Sequence, residues 1–383
     1  MVAPVVFVQL VEYSLILVLA CAIRQKEVEG ANKVLYLLDL VLPVVLAVFI
    51  FILLSSLSFF GASAQELGKF FLVLVVALAA VALLSFSTRP LRFSMGVAMF
   101  LLVLPNAFTP FSLWAGGAEY AARSFFGVYK ITRNEDLGLN VFSHGTTVHG
   151  VQYRDRVKSM QPAAYYHQGG AFGDLFAAMA PVVDDRPVAV VGLGVGGLAC
   201  YGKKHSAWTF YEIDPLVEKV ARDKRFFTFL RDCPPVSHVV IGDARITLSK
   251  APDHSLSLII IDAFSSDSIP THLLTKEAVA SYRKKLMPNG VLAFHISNRN
   301  LKLAPVIGNL AQDAGLIGLV NVPERSGDEN PLIASPVELV VLAADESLLG
   351  PLLINPKWIP LPTDPKARVW TDGYVNVLRT LRY

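Results

Sequence analysis

The stretch Pro187-Val-Ala-Val-Val-Gly-Leu-Gly-Val-Gly-Gly197 decides the fold of the second part of the chain. Its short apolar run predicts a buried strand, and the glycines after it allow a tight turn that opens a helix. Glycines also let a ligand approach the backbone closely. We therefore expect a strand, turn and helix unit in which Gly192, Gly194 and Gly196 border a ligand.

Further strands and helices alternate after this unit. The pattern predicts strands at Trp208–Ile213, Ser237–Ile241, Leu256–Ile261, Val291–Ser297 and Leu339–Ala343, and helices at Gly197–Gly202, Pro215–Leu230, Thr275–Leu286 and Ala304–Ala314. Continuous apolar strands that alternate with helices are typical of a mostly parallel sheet covered on both faces. We assign residues 181–383 to this α/β domain, and residues 125–180, with short predicted strands at 128–132, 139–142 and 146–153, to a small β-domain.

Acidic residues follow three successive predicted strands. Glu212 ends the second strand, Asp243 and Ala244 follow the third, and Asp262 follows the fourth. Open α/β sheets bind ligands at the carboxyl ends of their strands. At those positions Glu212 can accept hydrogen bonds from ribose hydroxyls and Asp243 from an adenine amino group, while Asp262 lies beside the expected reaction centre. Any one acid alone is equally typical of a helix cap or a solvated turn.

Two ligand classes fit the glycine turn. Gly192, Gly194 and Gly197 satisfy the dinucleotide pattern, and Glu212 stands where a ribose-binding acid is expected, so these features alone also predict a nicotinamide site. The row of three anions changes the balance, because it suits a sulfonium or an amine and repels a pyrophosphate. The sequence therefore favours adenosyl-sulfonium chemistry over an oxidoreductase.

The first part of the chain has a different composition. Residues 1–113 carry 11 charged side chains, against 54 in the remaining 270 residues. Apolar stretches at about 4–23, 34–58, 70–87 and 93–114 each approach the length that crosses a bilayer, which predicts a transmembrane bundle of about four helices in residues 1–115. The partner of this part is then a lipid bilayer, and the first stretch is interpreted as a retained span because no basic residue precedes it.

Two acids fall inside these apolar stretches. Glu12 and Asp39 are costly there and mark either a functional route or a polar contact inside the bundle, to Gln9, Asn106 or a tyrosine. Positive charges are nearly balanced on the two sides of the predicted spans, so orientation is weakly defined. We expect an integral protein of the bacterial inner membrane with its catalytic domain in the cytoplasm, where an adenosyl sulfonium is made.

Composition excludes several other classes. A net charge of +3 gives no broad basic field, which argues against a nucleic-acid partner. The three cysteines, Cys21, Cys200 and Cys233, stand far apart without a Cys-x-x-Cys pair, which argues against a disulfide framework and a structural zinc site. The histidines lack neighbours at metal-ligand spacing, so no metal is expected.

Four motifs together resemble the polyamine aminopropyltransferases, the spermidine synthase family, and the whole chain is similar to its membrane-fused bacterial members. The motifs are Gly192–Gly197, Tyr211-Glu212-Ile-Asp214, Gly242-Asp243-Ala-Arg245 and Asp262-Ala-Phe-Ser-Ser-Asp267-Ser-Ile-Pro270. The resemblance implies a small β-domain followed by a Rossmann-like, methyltransferase-type domain. It also implies a homo-oligomer, no tightly bound cofactor, and S-adenosylmethionine or its decarboxylated form as substrate, with a polyamine as acceptor.

The resemblance also implies residue roles. Glu212 would bind the ribose, Asp243 the adenine side, and Asp262 would orient or deprotonate the attacking amine. Asp267 would lie on a loop that closes over the site. Tyr166 would contact the transferred chain, and Gln152 would lie near the sulfur side of the ligand.

Departures from the family pattern leave the acceptor open. Val195 stands where the family commonly has an aspartate, Gln168 replaces the family's Tyr-x-Glu carboxylate, and Ala263 and Phe264 are inserted after Asp262. A dicationic polyamine needs carboxylates, because an unpaired ammonium loses several kcal/mol on desolvation. Aminopropyl transfer to an amine therefore competes with cyclisation of S-adenosylmethionine, in which its own amine or carboxylate attacks. A methyltransferase and an adenosyl-ligand sensor without turnover are further alternatives.

Overall fold

The computed structural model describes residues 11–23, 33–59, 75, 77–108, 118–145, 147–263, 270–298, 300–322 and 330–382. The chain divides into two compact units, Met1–Ala118 and Glu119–Tyr383. This division falls close to the predicted end of the apolar part at residue 115.

The first unit is helical where it is described. Helix α1 spans Val11–Ala22, α2 spans Lys33–Phe59, residues 77–85 are helical, and α3 spans Pro90–Phe108. Of the described residues, one helix is long and apolar enough to cross a membrane, over Val34–Leu53. Part of the predicted spans, residues 4–10, 70–74 and 109–114, lies outside the described residues, and so does the side chain of Glu12. The four-span bundle therefore stays a prediction.

Asp39 has different partners from those expected. Its carboxylate pairs with Arg89, whose Nε lies 3.0 Å from Oδ1, and with Arg92, whose terminal nitrogen lies 2.8 Å from the same oxygen. Only 5% of Asp39 is exposed. Because a buried carboxylate without a partner is costly, the two guanidinium groups explain how an acid persists in this apolar helix. The ion pair was not among the expected contacts, of which those to Gln9 and to the side chain of Asn106 lie outside the described residues.

The second unit begins with a small antiparallel sheet. Its four strands, in the order β1-β2-β3-β4, are Ala118–Arg123, Val128–Asn134, Leu139–His144 and Thr147–Tyr153. β2 pairs with β3 and β3 with β4 in antiparallel register. The predicted β-meander is present, with one strand, β1, that the sequence analysis missed. Helix α4, Ala171–Val183, follows this sheet and was also not predicted.

The main sheet has eight strands in the order β12-β10-β11-β9-β8-β5-β6-β7. Strands β9, β8, β5, β6 and β7 are parallel neighbours, whereas β11, β10 and β12 extend the sheet in antiparallel fashion beyond β9. Their bounds are Val188–Val191 (β5), Ala207–Glu212 (β6), Val236–Ile241 (β7), Leu256–Ile261 (β8), Leu286–His295 (β9), Ile317–Asn321 (β10), Leu339–Ala343 (β11) and Trp358–Pro360 (β12). The domain is thus α/β with a mostly parallel sheet, as predicted.

Helices cover the sheet. They are α5, Pro215–Ala221, α6, Phe229–Asp232, α7, Ala244–Thr247, α8, Lys276–Lys285, and α9, Ala304–Asp313, with 3₁₀ turns at Gly197–Tyr201, Leu248–Lys250, Thr271–Leu273, Glu346–Ile354 and Leu378–Thr380. The predicted long helix Pro215–Leu230 is two short ones. Helix α5 ends near Arg222, and the segment between α5 and α6 turns inward so that Phe226 and Phe227 are buried.

The core lies on both faces of the sheet. Side chains alternate along a strand, so Val188 and Val190 of β5 join one cluster with Leu258 and Ile260, while Ala189 and Val191 join a second cluster with Ile259 and Ile261. All four residues of β5 and all six of β8 are buried. This two-sided burial explains why the central strands have continuous apolar sequences.

Two cysteines form a pair that the sequence analysis did not anticipate. Cys200, in the turn after the glycine segment, is bonded to Cys233, which follows α6. Their Cα atoms are 4.8 Å apart although 33 residues separate them in sequence. The expectation that the cysteines are unpaired is therefore wrong for these two, because the fold, not the spacing, brings the segments together. Cys21 is free and buried.

Candidate active site

A cavity of about 210 Å³ opens at the carboxyl ends of the parallel strands. It lies at the point where the sheet order reverses, since the chain runs from β5 to β6 on one side and β8 lies on the other. Such a switch point is where open α/β sheets hold their ligands. The predicted residues Gly192, Gly194, Glu212, Asp243, Ala244 and Asp262 all line this cavity.

The glycine turn brings two loops into close contact. Gly192 has a φ of +102°, and a Cβ atom there would overlap the backbone carbonyl oxygen of Asp262. Gly194, at φ +53°, would likewise collide with the carbonyl of His149. Both positions therefore need glycine for conformation and for space, and the result is that Asp262 lies directly beside the turn.

Glu212 is held by the backbone of the same turn. One carboxylate oxygen accepts from the Leu193 N–H at 3.0 Å, and the other from the Asp214 N–H at 2.9 Å. Burial raises the pKa of Glu212, an effect that these backbone hydrogen bonds partly offset. The carboxylate is thus fixed at the end of β6 and borders the cavity, where a ribose would have to lie for the predicted contact.

Asp243 has two functions in the fold. It caps α7, because its Oδ1 accepts from the Arg245 N–H at 2.8 Å. Its other oxygen lies 3.5 Å from Nε2 of His272, which also lines the cavity. The helix-cap interpretation weighed for this acid is therefore correct for one oxygen, and the second oxygen borders the ligand space.

Aromatic residues of the small sheet form part of the cavity lining and were not singled out from the sequence. Tyr129 of β2 and Phe142 of β3 stack with ring centroids 5.4 Å apart and planes 19° from parallel, and Phe126 lines the same cavity. Burial raises the pKa of Tyr129, with the neighbouring Asp214 acting in the same direction. Flat apolar surface of this kind suits a nucleobase or a thioether.

A second, smaller space of about 60 Å³ adjoins the first. Asp262, His149 and Gly194 line both, and Val148, Tyr165, Tyr166 and His295 complete the smaller one. Among the described residues of its lining, Asp262 is the one carboxylate. We call the first space the nucleoside cavity and the second the acceptor chamber.

Asp262 is the centre of a hydrogen-bond network in the acceptor chamber. The Tyr166 hydroxyl donates to its Oδ2, and Nδ1 of His295 lies 2.6 Å from its Oδ1. Desolvation raises the pKa of the Tyr166 phenol, with the negative charge of Asp262 as the next cause, so this hydroxyl stays a donor. Tyr166 thus lies beside Asp262, and its expected contact to the transferred chain stays a prediction.

His295 is a site residue that the sequence analysis missed. It ends β9, the strand beside β8, and Phe294 is in register with Ile261, so His295 comes next to Asp262. The predicted strand Val291–Ser297 already contained it. An imidazole at the carboxyl end of a central strand was therefore the available signal, because that edge of the sheet is where the acids were sought.

His149 separates the two spaces. Burial, together with the nearby His144, lowers its pKa to about 4, so the ring is neutral near pH 7. Its Nε2 is buried and has no hydrogen-bond partner among the described residues. A neutral ring is compatible with a cationic ligand next to it, whereas an imidazolium would repel a sulfonium.

Three predicted residues have other positions. The side-chain amide of Gln152 is hydrogen-bonded elsewhere. Its Oε1 accepts from the Thr228 N–H at 2.9 Å, and its nitrogen donates to the Ser159 carbonyl at 2.7 Å. It does not appear among the described residues that line either space, so the proposed contact to the sulfur side has no geometric support. Gly196 supports the turn from behind, where a Cβ would meet Leu230. Asp267 lies outside the described residues.

A glycine turn at a sheet switch point, with acids at the ends of three strands, is typical of an α/β domain of the Rossmann-like, methyltransferase type. No protein-family model matches this chain. Its sequence is 31% identical over 207 residues to a polyamine aminopropyltransferase of Vibrio vulnificus, which covers 51% of this chain and 64% of that protein. The chain is similar to this aminopropyltransferase, as the motifs predict, and it spans less than two thirds of that protein's length.

The solved structures with a similar backbone include two spermidine synthases. A probable spermidine synthase from Corynebacterium glutamicum has a TM-score of 0.49 at 14% identity, with 67% of this chain and 95% of that chain covered. A spermidine synthase from Thermotoga maritima has a TM-score of 0.42 at 16% identity, with 70% and 84% covered.

Proposed function

We propose that the chain is a transferase that acts on S-adenosylmethionine or its decarboxylated form. A nucleophile attacks the carbon chain next to the sulfonium, the carbon–sulfur bond breaks with its electron pair on sulfur, and methylthioadenosine leaves. The observation that carries this proposal is the position of Asp262, which borders both the nucleoside cavity and the acceptor chamber. Among the described carboxylates, Asp262 is the one that can align an attacking group against a ligand in the larger cavity.

The roles that we propose for the other residues are compatible with their positions around the nucleoside cavity. Glu212 binds the ribose and Asp243, beside Ala244, binds the adenine amino group, while Gly192 and Gly194 let the ligand approach the turn. The sulfonium is already an activated leaving group, so alignment supplies most of the rate enhancement. Asp262 accepts the proton that the nucleophile loses, which adds roughly 10²–10⁴-fold.

Aminopropyl transfer to an amine is the version that the sequence relationship favours, since the curated relative is a polyamine aminopropyltransferase. The substrate is then decarboxylated S-adenosylmethionine and the acceptor an external amine such as putrescine. Asp262 directs the lone pair of that amine toward the carbon.

The acceptor chamber favours a second version. Its described lining holds two histidines, two tyrosines and a single carboxylate, Asp262, whose two oxygens are already engaged by Tyr166 and His295. A second ammonium of a polyamine would find no described carboxylate in this lining, and leaving it unpaired is costly. Intramolecular attack by the amine or carboxylate of S-adenosylmethionine requires no such partner.

Product analysis separates the versions. Purified full-length protein is incubated with S-adenosylmethionine or its decarboxylated form, with and without putrescine, and the products are measured by mass spectrometry. Methylthioadenosine that forms only with putrescine supports aminopropyl transfer, and methylthioadenosine without amine supports cyclisation. Adenosylhomocysteine would make the protein a methyltransferase, and binding without any product would make it a sensor.

For the first unit we propose a membrane anchor with the catalytic unit on the cytoplasmic side of the inner membrane. Support comes from the apolar helix over Val34–Leu53 and from the cytoplasmic source of the ligand. The anchor is tested by alkaline extraction of membranes, which should leave the protein in the pellet. Orientation is tested by thiol labelling of a cysteine introduced at exposed Asp136, which should react only after lysis if the catalytic unit is cytoplasmic. Cross-linking of the detergent-solubilised protein tests the expected homo-oligomer.

A further inference from the structure

Asp262 and His295 form a buried pair with a short contact between their polar atoms. Their side chains are 5% and 7% exposed, and Nδ1 of His295 lies 2.6 Å from Oδ1 of Asp262. The rings of Tyr165 and Phe172 pack against the imidazole with centroids 5.5 and 5.8 Å away. At this distance one hydrogen must lie between nitrogen and oxygen, because two lone pairs would repel each other.

Ser297 lies on the other side of the ring, where its hydroxyl can donate to Nε2. Its Oγ accepts the Glu338 N–H at 2.8 Å and lies 2.9 Å from Nε2 of His295. Because the backbone donor occupies the oxygen from one side, the hydroxyl hydrogen can be directed to Nε2. The hydrogen of the neutral ring is then on Nδ1, facing Asp262.

We propose that His295 is a positioning residue that holds Asp262 ionised and turned toward the nucleophile. This inference rests on the proposed function, and it assigns a residue that the acid row in the sequence does not include. Nδ1–H of His295 donates to Oδ1 while Tyr166 donates to Oδ2, so two donors fix the plane of the carboxylate. As the carbon–nitrogen bond forms and the carbon–sulfur bond breaks, the proton of the new ammonium passes to Asp262, and His295 retains its own proton.

Within the part of the chain that the structure describes, four ionisable side chains face the carboxylate: Tyr165, Tyr166, His149 and His295. His149 is neutral near pH 7, and desolvation raises the pKa of both tyrosines well above the usual range. The first three therefore do not change charge near neutral pH. A shift of the pH profile on replacement of His295 would accordingly report the lost donor.

His295→Leu, His295→Asn and Ser297→Ala test the proposal in the full-length protein. Leucine removes the donor, and kcat should fall about 10- to 100-fold with little change in KM, because a hydrogen bond to a charged group is lost. The acid limb of the kcat–pH profile should move to higher pH. Asparagine places an amide nitrogen near the position of Nδ1 and should restore kcat to within about tenfold of wild type, as expected for a recovered hydrogen bond.

Ser297→Ala keeps the ring and its packing but removes the hydroxyl that faces Nε2, together with the acceptor of the Glu338 N–H. It should lower kcat with the same direction of pH shift, which keeps the test decisive if His295→Leu does not fold. Wild-type kcat and pH profile in Ser297→Ala, or equal loss in leucine and asparagine variants without a pH shift, would reduce His295 to a packing residue.

A measurement on the resting protein is independent of turnover. Nitrogen-15 NMR of histidine-labelled protein, with the His295 signals assigned from their loss in His295→Asn, should show hydrogen on Nδ1. Hydrogen on Nε2 alone would overturn the proposal. If the wild type releases no methylthioadenosine, the proposed function fails while this tautomer result still decides the arrangement of His295.

Discussion

The nucleoside cavity and the acceptor chamber both contain carboxylates, but they hold them in different ways. Glu212 and Asp243 are fixed by backbone N–H groups at the ends of β6 and β7. Asp262 is fixed by two side chains, Tyr166 and His295, that come from outside its own strand. Backbone donors stay in place when a ligand binds, whereas side chains can respond to a proton. This contrast fits the proposal that the ligand binds in the first cavity and that the reaction takes place beside Asp262 in the second.

Replacement of the reacting carboxylate tests this contrast most strongly. We expect Asp262→Asn to slow turnover at least about 10²-fold with little loss of ligand affinity, because the proton acceptor is removed and the shape is kept. Turnover is followed as methylthioadenosine release, and affinity by calorimetry with methylthioadenosine. Asp136→Asn, at an exposed turn position, is the matched control and should behave as wild type. Undiminished turnover in Asp262→Asn would remove this carboxylate from the mechanism.

His149, which lies between the two spaces, should make the unfolding free energy of the protein depend on pH. The pKa of His149 is lowered from 6.5 to about 4 in the folded state, so the unfolded chain binds more protons between these values. The contribution is complete above pH 6.5 and is lost as the pH falls toward 4. It amounts to about 3 kcal/mol of unfolding free energy. Denaturant unfolding of wild type and His149→Gln across this range measures it.

The control for this experiment is His205→Gln, since His205 is exposed. Carboxylates contribute acid sensitivity to all three proteins, so the difference between wild type and His149→Gln is the informative quantity. If the unfolding free energies of these two proteins had equal pH slopes, His149 would not be held neutral by its surroundings. A neutral imidazole between the two spaces would then have no support.

The binding side is tested by Glu212→Gln. We expect a loss of about 1.5–3 kcal/mol in methylthioadenosine binding, the usual value of a hydrogen bond to a charged group. Calorimetric titration gives the affinity, and Glu346→Gln, an exposed acid near the chain's carboxyl end, serves as control. Full affinity in Glu212→Gln would refute the ribose contact and leave the nucleoside cavity without its principal anchor.

The two spaces also differ in how much of their lining could be predicted from the sequence. Periodicity and strand-end position predicted the parallel sheet, the glycine turn and the acids at Glu212, Asp243 and Asp262, because these features are local and follow from one edge of one sheet. The acceptor chamber depends on contacts between distant segments. His295 meets Asp262 across neighbouring strands, and Gln152 is captured by Thr228, 76 residues away.

Other misses have the same cause. Cys200 and Cys233 pair because the turn after the glycines packs near α6, which no spacing rule encodes. Asp39 is matched by Arg89 and Arg92 from a segment 50 residues further along. Local pattern predicts which residues end a strand, but tertiary packing decides which side chains then meet.

The smallest effect is expected at Asp243, and it distinguishes two kinds of contact within the nucleoside cavity. Asparagine caps a helix as well as aspartate does, so α7 should stay intact, and its side-chain oxygen can still accept from an adenine amino group. We therefore expect Asp243→Asn to weaken methylthioadenosine binding by about 0.5–1.5 kcal/mol, less than Glu212→Gln. Calorimetry under identical conditions compares the two variants. A loss at Asp243 equal to or above that at Glu212 would mean that charge, rather than hydrogen bonding, governs the adenine side, because the substitution removes the charge and keeps the acceptor.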